Sequence, residues 1–398
     1  MPARPDAAPA LSAVDRLLCA CAFPEDHPAP ALRLRALDVD SIDWDAVPLL
    51  LVRHGLTVLA ASHLAAIGDR VPAAVWEHIQ ALALAARASA LALVAELLRI
   101  LRRLSDAGID TLPFKGPLLG LDAYGDLAAR PFVDLDLLVR PGDLDAAIAA
   151  LSTLGYRSRY RFSPARDRWF RRVDGDYPLV HPDTAVLVEL HGRAMSRRFG
   201  SGIPTDDLWR RHAAQYVGSV EVPVLSDNDR FYLYVVHGAK HRWERLEWLA
   251  STAALLRRRD GDVTALLHAP YHDARAVLLG CRLAHDLLDA PLHPAIAAAI
   301  DADPVVGRLA ADARRHLFAA PRDDDREDTA AKLWFNFRLA TGVGRRLAYL
   351  YRWCVWPSPE DWEAVSIPDP LFLLYRIARP IRLLWRYAGG TGEAPHRG

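Results

Sequence analysis

The chain has 398 residues, 52% hydrophobic and 25% charged, with Lys+Arg and Asp+Glu balanced at 49 each. This is an ordinary soluble globular composition, long enough for two or three domains with sizeable cores. A formal net charge of zero excludes an overall electrostatic drive toward nonspecific nucleic-acid binding, a local basic groove aside. Nearly all the basic residues are arginine, and Lys115, Lys240 and Lys332 stand out as the lysines. Cys19, Cys21, Cys281 and Cys354 have neither zinc-ligand spacing nor disulfide-scaffold density. Reduced thiols in a cytoplasmic setting are therefore the expectation.

Residues 1–10 read as a disordered leader without an apolar signal core. From 11 to 107 the pattern is helical. Val71-Pro72 opens a long apolar segment through Trp76, Ile79, Leu82, Leu91, Val94, Leu97, Leu98 and Leu101, and Gly108 is its stop. Within it, Ala81 to Leu98 is interrupted by Arg87, Ser89 and Glu96, which predicts a buried soluble helix rather than a membrane span.

The pattern changes after Gly108. Ile109 to Phe114 is a strand that ends at Lys115-Gly116-Pro117, and a helix follows through Leu118 to Tyr124. Phe132 to Val139 is a strand carrying Asp134 and Asp136. Pro141-Gly142-Asp143 then turns into a helix from Leu144 to Leu154. Tyr177 to His181 and Ala185 to His191 form two strands joined by Pro182-Asp183-Thr184. These short elements define a small α/β unit over 108–225. Helical segments at 228–258, 262–289 and 328–352 make a C-terminal helical domain, 226–388, followed by a flexible tail, 389–398. The predicted fold class is α+β and mostly α overall, a small mixed sheet embedded between N-terminal (11–107) and C-terminal helical regions.

Four local features carry chemistry. Alternation along a strand points Asp134 and Asp136 to one side. Two carboxylates there repel unless a cation neutralises them, and hard oxygen ligands suit magnesium. Glu189 and His191 share a face of a second apolar strand, so Glu189 is a candidate third carboxylate. Lys115-Gly116 lies where a strand runs into a helix, a place where backbone N–H groups hold phosphate and glycine permits close approach. If one helix continues through 245, then His237, Lys240, His241, Glu244 and Arg245 fall on a single face. A solvated polar face is the plain alternative for that last group. His237 and His241 also fit a metal pair at i, i+4, but no Glu follows His237 as a zinc protease would need. Trp243 and Trp248 read as core residues.

The ordered set Lys-Gly, Arg130-Pro-Phe-Val-Asp-Leu-Asp-Leu-Leu-Val139, Val188-Glu-Leu-His191 and His237-x-x-Lys-His-Arg-Trp243 resembles the bacterial uncharacterised nucleotidyltransferase family, within the DNA polymerase β-like nucleotidyltransferase superfamily. The resemblance spans about residues 45 to 385 and includes Trp356-Pro-Ser-Pro-Glu-Asp361 and Tyr375-Arg-x-x-Arg-Pro380. It implies transfer of a nucleoside monophosphate from a triphosphate, with ATP the expected nucleotide, to a hydroxyl acceptor. Two Mg²⁺ ions would be held by Asp134, Asp136 and Glu189. Lys115, Gly116, Lys240, His241 and Arg245 would contact the nucleotide. The superfamily turn is usually Gly-Gly or Gly-Ser. Here Pro117 follows Gly116 and cannot donate an N–H, so Lys115 is expected to supply charge instead.

A haloacid dehalogenase-type phosphatase strand stops after its acid pair, whereas Leu137-Leu-Val139 continues this one. An Asp-x-Asp glycosyltransferase would need a nucleotide-binding α/β region upstream, where residues 11–107 read as helical. A catalytically inert module that binds nucleotide or a partner stays open because of the Lys-Gly-Pro turn. The acceptor class (small molecule, peptide, protein or tRNA) is left open, and no membrane partner is expected.

Overall fold

The computed structural model describes residues 11–200, 203–268, 271–319 and 325–388, with backbone only at 325–328 and 386–388. The expected leader (1–10) and tail (389–398) lie outside the described residues. The observed class is the expected one, α+β and mostly helical. One mixed sheet contains β1 (Thr111–Pro113), β2 (Asp134–Val139), β3 (Arg157–Ser158), β4 (Asp176–Val180) and β5 (Leu187–His191), in the order β1-β2-β5-β4-β3. The central pair β2–β5 is parallel, and the other pairs are antiparallel. A separate hairpin, β6 (Ala213–Val217) with β7 (Val220–Val224), was not anticipated from the sequence.

Strand alternation sorts the sheet into two faces. Leu135, Leu137, Val139, Val188 and Leu190 enter one core with Leu97, Ile100 and Leu104 of the long helix and with Leu144, Ala147 and Leu151 of the helix Leu144–Ser152. Asp134, Asp136, Glu189 and His191 therefore take the opposite face. On that side Leu112, Phe114 and Leu138 join a second, larger core. That core contains Leu17, Phe23, Leu51 and Leu59 from the N-terminal helices. It also contains Phe231, Trp243, Leu249, Leu279 and Leu309 from the C-terminal ones. Residues before and after the sheet thus share one apolar interior.

The long helix runs from Ala73 to Asp106. Among the described helices it is the one long and apolar enough to cross a membrane, yet only 28% of its most apolar window is buried. The expectation of a buried helix needs correction. One stripe (Ile79, Ala83, Ala90, Leu93, Val94, Leu97) is buried, while Leu84 and Leu91 face solvent.

The expected segment 228–258 is two helices, Asp227–Lys240 and Leu246–Arg257. Ser226 caps the first, its hydroxyl accepting from the Asp229 N–H. The break after Lys240 has a local cause. Arg242 and Trp243 adopt left-handed φ values of 58° and 56°, and the Trp243 N–H folds back to the Gly238 carbonyl at 2.9 Å. The Trp243 ring is fully buried against Gly238, where an added Cβ would come within 2.6 Å of it. Trp243 and Trp248 are both core residues, as expected. The expected segment 328–352 is likewise two helices, Asp325–Leu339 and Val343–Val355. The C-terminal helix Tyr375–Ala388 buries Tyr375, Arg379 and Leu383 and exposes Ile377, Ile381, Leu384 and Trp385. Arg379 is drawn inward by buried Asp361, 2.5 Å away.

Candidate active site

The site forms where parallel pairing sets Asp136 beside Glu189, with His191 next to Leu138. His191 Nε2 lies 2.9 Å from Asp136 Oδ1 and 3.5 Å from Glu189 Oε2. Ligand atoms of Asp136, Glu189 and His191 all fall within 4.8 Å of one another, a group able to hold a metal ion. Asp134 heads β2 on the same face but stands outside that tight group. Its carboxyl is nonetheless raised by burial and then by the charges of Asp136 and Glu189. His191, expected to share a face with Glu189, contacts both carboxylates directly.

Lys115 closes the cluster from the end of β1. Its ammonium donates to Asp136 Oδ1 at 2.9 Å. Asp136 is 3% exposed. Burial alone would raise its pKa, but the charge of Lys115 and the hydrogen bond from His191 hold it well below the usual carboxylate range. Burial alone would lower His191, yet the carboxylates of Asp136 and Glu189 raise it to about 9. At neutral pH Asp136 is thus an anion between an ammonium and an imidazolium. The hydrogen bond from His191 in turn keeps Glu189 ionised, its pKa below the ordinary value.

The Lys115-Gly116 turn is held from beneath. Gly116 has φ 63° and ψ −130°, a region that side chains with a Cβ avoid. The helix Pro117–Tyr124 starts immediately after it. Arg130 donates to the Gly116 carbonyl at 3.1 Å and to Glu247 Oε1 at 2.8 Å. Both partners are buried, Arg130 7% and Glu247 1% exposed. Sequence reasoning noted Arg130 as part of a motif but missed its partner, because 117 positions separate the two.

The helix Asp227–Lys240 approaches this cluster. The rings of His237 and His241 meet tilted at 47° with centroids 4.7 Å apart, both backed by Trp248. Burial, then the Lys115 charge, holds His237 well below its usual pKa, and burial, then the Lys240 charge, does the same for His241. Both rings are neutral. The Lys240 ammonium sits 4.2 Å over the Phe199 ring. Burial first, then the Lys115 charge, lowers its pKa to about 8.

Glu244 and Arg245 do not continue this face, because the helix ends at Lys240. Arg245 lies instead against Gly55 and His54 in the N-terminal helices. The structure therefore gathers Asp136, Glu189 and Lys115 with Asp134 and Gly116 beside them, sets Lys240 and His241 within electrostatic reach of Lys115, and leaves Arg245 out.

A small mixed sheet that gathers carboxylates, set among helices, is the architecture the sequence resemblance implied. Residues 40–289 match the family described as uncharacterised nucleotidyltransferase, and the chain belongs to that family. Comparisons with curated proteins and with solved structures found no match.

Proposed function

We propose that this protein transfers a nucleoside monophosphate from a nucleoside triphosphate, with ATP the favoured nucleotide, to a hydroxyl-bearing acceptor. The observation that carries this reading is the register of β2 on β5, which sets Asp136 beside Glu189 on the face shared by Asp134. Three carboxylates on one face suit hard divalent cations, and the Asp134 carboxyl is raised first by burial and then by the charges of Asp136 and Glu189. Asp134, Asp136 and Glu189 would hold two Mg²⁺ ions, which supply charge neutralisation at the α-phosphoryl group and activation of the acceptor hydroxyl. In the reaction the acceptor oxygen bonds to the α-phosphorus and the bond to the bridging oxygen breaks. Pyrophosphate leaves and the hydroxyl loses its proton. Glu189, held ionised by His191, would take that proton. Lys240 and His241 would contact the polyphosphate, and Lys115 would offset charge as pyrophosphate departs. The four free cysteines suit a cytoplasmic setting.

A second reading is favoured by one contact. Lys115 already neutralises Asp136, as would suit a module that binds nucleotide without turnover. Incubation of the full chain with Mg²⁺, ATP labelled at either the α- or the γ-phosphate, and pools of small-molecule, peptide and tRNA acceptors separates the two. Retention of α-label on an acceptor is the expected result. Retention of γ-label would mean a kinase. Binding without transfer of either label would establish the inert module.

A further inference from the structure

The three lysines of this arginine-rich chain come from remote segments and meet at one place. Lys115 is on Asp136. From His237, within electrostatic reach of both Lys115 and Asp136, a short path runs through the neighbouring His241 ring to Lys332. The Lys332 ammonium lies 3.2 Å from His241 Nδ1. It projects from the helix Asp325–Leu339, beyond the matched segment 40–289, so family membership alone does not point to it. That helix is fixed in place by Asn336, whose amide donates to the Lys240 carbonyl at 3.1 Å.

Two features set this group apart from an ordinary solvated face. Among the described side chains, no carboxylate forms an ion pair with Lys240 or Lys332, whereas Lys115 has Asp136. The charges of Lys115 and Lys332 both act on Lys240, opposed by the more remote carboxylates of Asp176 and Asp174, with which it forms no ion pair. Like charges gathered on a partly buried wall repel, and an anionic ligand carrying several charges relieves that repulsion. The Lys332 contact also favours a tautomer. An ammonium can only donate, so a charged Lys332 places the His241 hydrogen at Nε2, with Glu244 Oε1, 3.9 Å from the same Nδ1, as the competing partner.

We propose that Lys332 is a polyphosphate-binding residue of the nucleotide site, acting with Lys240 and the Nε2–H of His241. This rests on the nucleotidyltransferase reading and adds a contact from outside the matched segment. An ammonium meets phosphate oxygens as a point charge, with three donors on a flexible stem.

The test is titration of the full chain with inorganic tripolyphosphate, and separately with Mg·ATP, at two salt concentrations. Lys332→Ala is expected to weaken tripolyphosphate binding about tenfold, the scale of one charge-assisted hydrogen bond, and to flatten its salt dependence. Lys332→Arg should retain part of the affinity, and it replaces the alanine variant should that one not fold. A variant that lowers the melting temperature but binds tripolyphosphate with unchanged affinity and salt dependence would make Lys332 a helix-docking residue and overturn the assignment. If the unmodified protein binds neither tripolyphosphate nor Mg·ATP, the nucleotide reading itself fails along with it.

Discussion

At the scale of single residues, Asp134 and Asp136 are not equivalent. Asp136 is the shared partner of Lys115 and His191, whereas Asp134 is outside that tight group. Asp134→Asn is expected to abolish nucleotide transfer with little change in stability. Asp136→Asn should abolish transfer and also destabilise the fold by about 3–5 kcal/mol, because it leaves a buried ammonium and imidazolium without their anion. Chemical denaturation of both variants beside a transfer assay checks the split. Gly116→Ala forces a Cβ into an unfavourable backbone region and should cost roughly 1–3 kcal/mol, read in the same denaturation experiment. Lys240, lowered to about 8, predicts that polyphosphate affinity falls as pH rises through 8. Lys240→Met should lack that inflection. In the unliganded protein the same shift has the opposite sense. The buried charge is a cost to the fold below pH 8, relieved as pH rises toward 10.5 while the unfolded chain keeps its proton. The common face of Asp134 and Asp136 was legible from parity alone. The partners of Asp136 were not, since they depend on which strand lies alongside β2.

At the scale of elements, the reading failed where local chemistry overrode periodicity. The apolar pattern continues past Lys240, but Trp243 needs the space that Gly238 and Gly280 leave, and the chain turns left-handed to fill it. Arg245 is thereby carried away from the site. The β6–β7 hairpin was missed although its signal was present. Val217-Gly-Ser-Val220 places a two-residue turn with Gly218 at φ 62° between alternating segments. The turn at Gly116 depends on a buried ion pair between elements, Arg130 with Glu247. Glu247→Gln should therefore destabilise by about 3–5 kcal/mol and also weaken nucleotide binding, since the Gly116 carbonyl loses a well-placed donor. A shift in thermal midpoint with unchanged nucleotide affinity would mean that the turn holds without it.

At the scale of the whole molecule, the sequence suggested helical regions on either side of an α/β unit. The structure adds that those flanking regions are built around one interior. Leu17, Phe23 and Leu51 lie in the same core as Phe231, Leu249 and Leu279. Removing residues 1–107 should therefore expose the C-terminal helices and yield insoluble protein, measured as the soluble fraction on expression beside the full chain. This interior was not legible from periodicity, which says which face of a helix is apolar but not which distant helix covers it. The convergence of Lys115, Lys240 and Lys332 was hidden for the same reason, although their rarity was visible from the start.

The pairing of β2 with β5 has one more consequence. A slip of one residue would turn Glu189 and His191 to the far side of the sheet and bring Val188 and Leu190 to the near side. The buried packing and the charged cluster would then be lost in a single event. Selection for a well-folded sheet therefore also preserves the positions of these side chains, and mutations that blur the register should erase stability and chemistry together rather than trade one against the other.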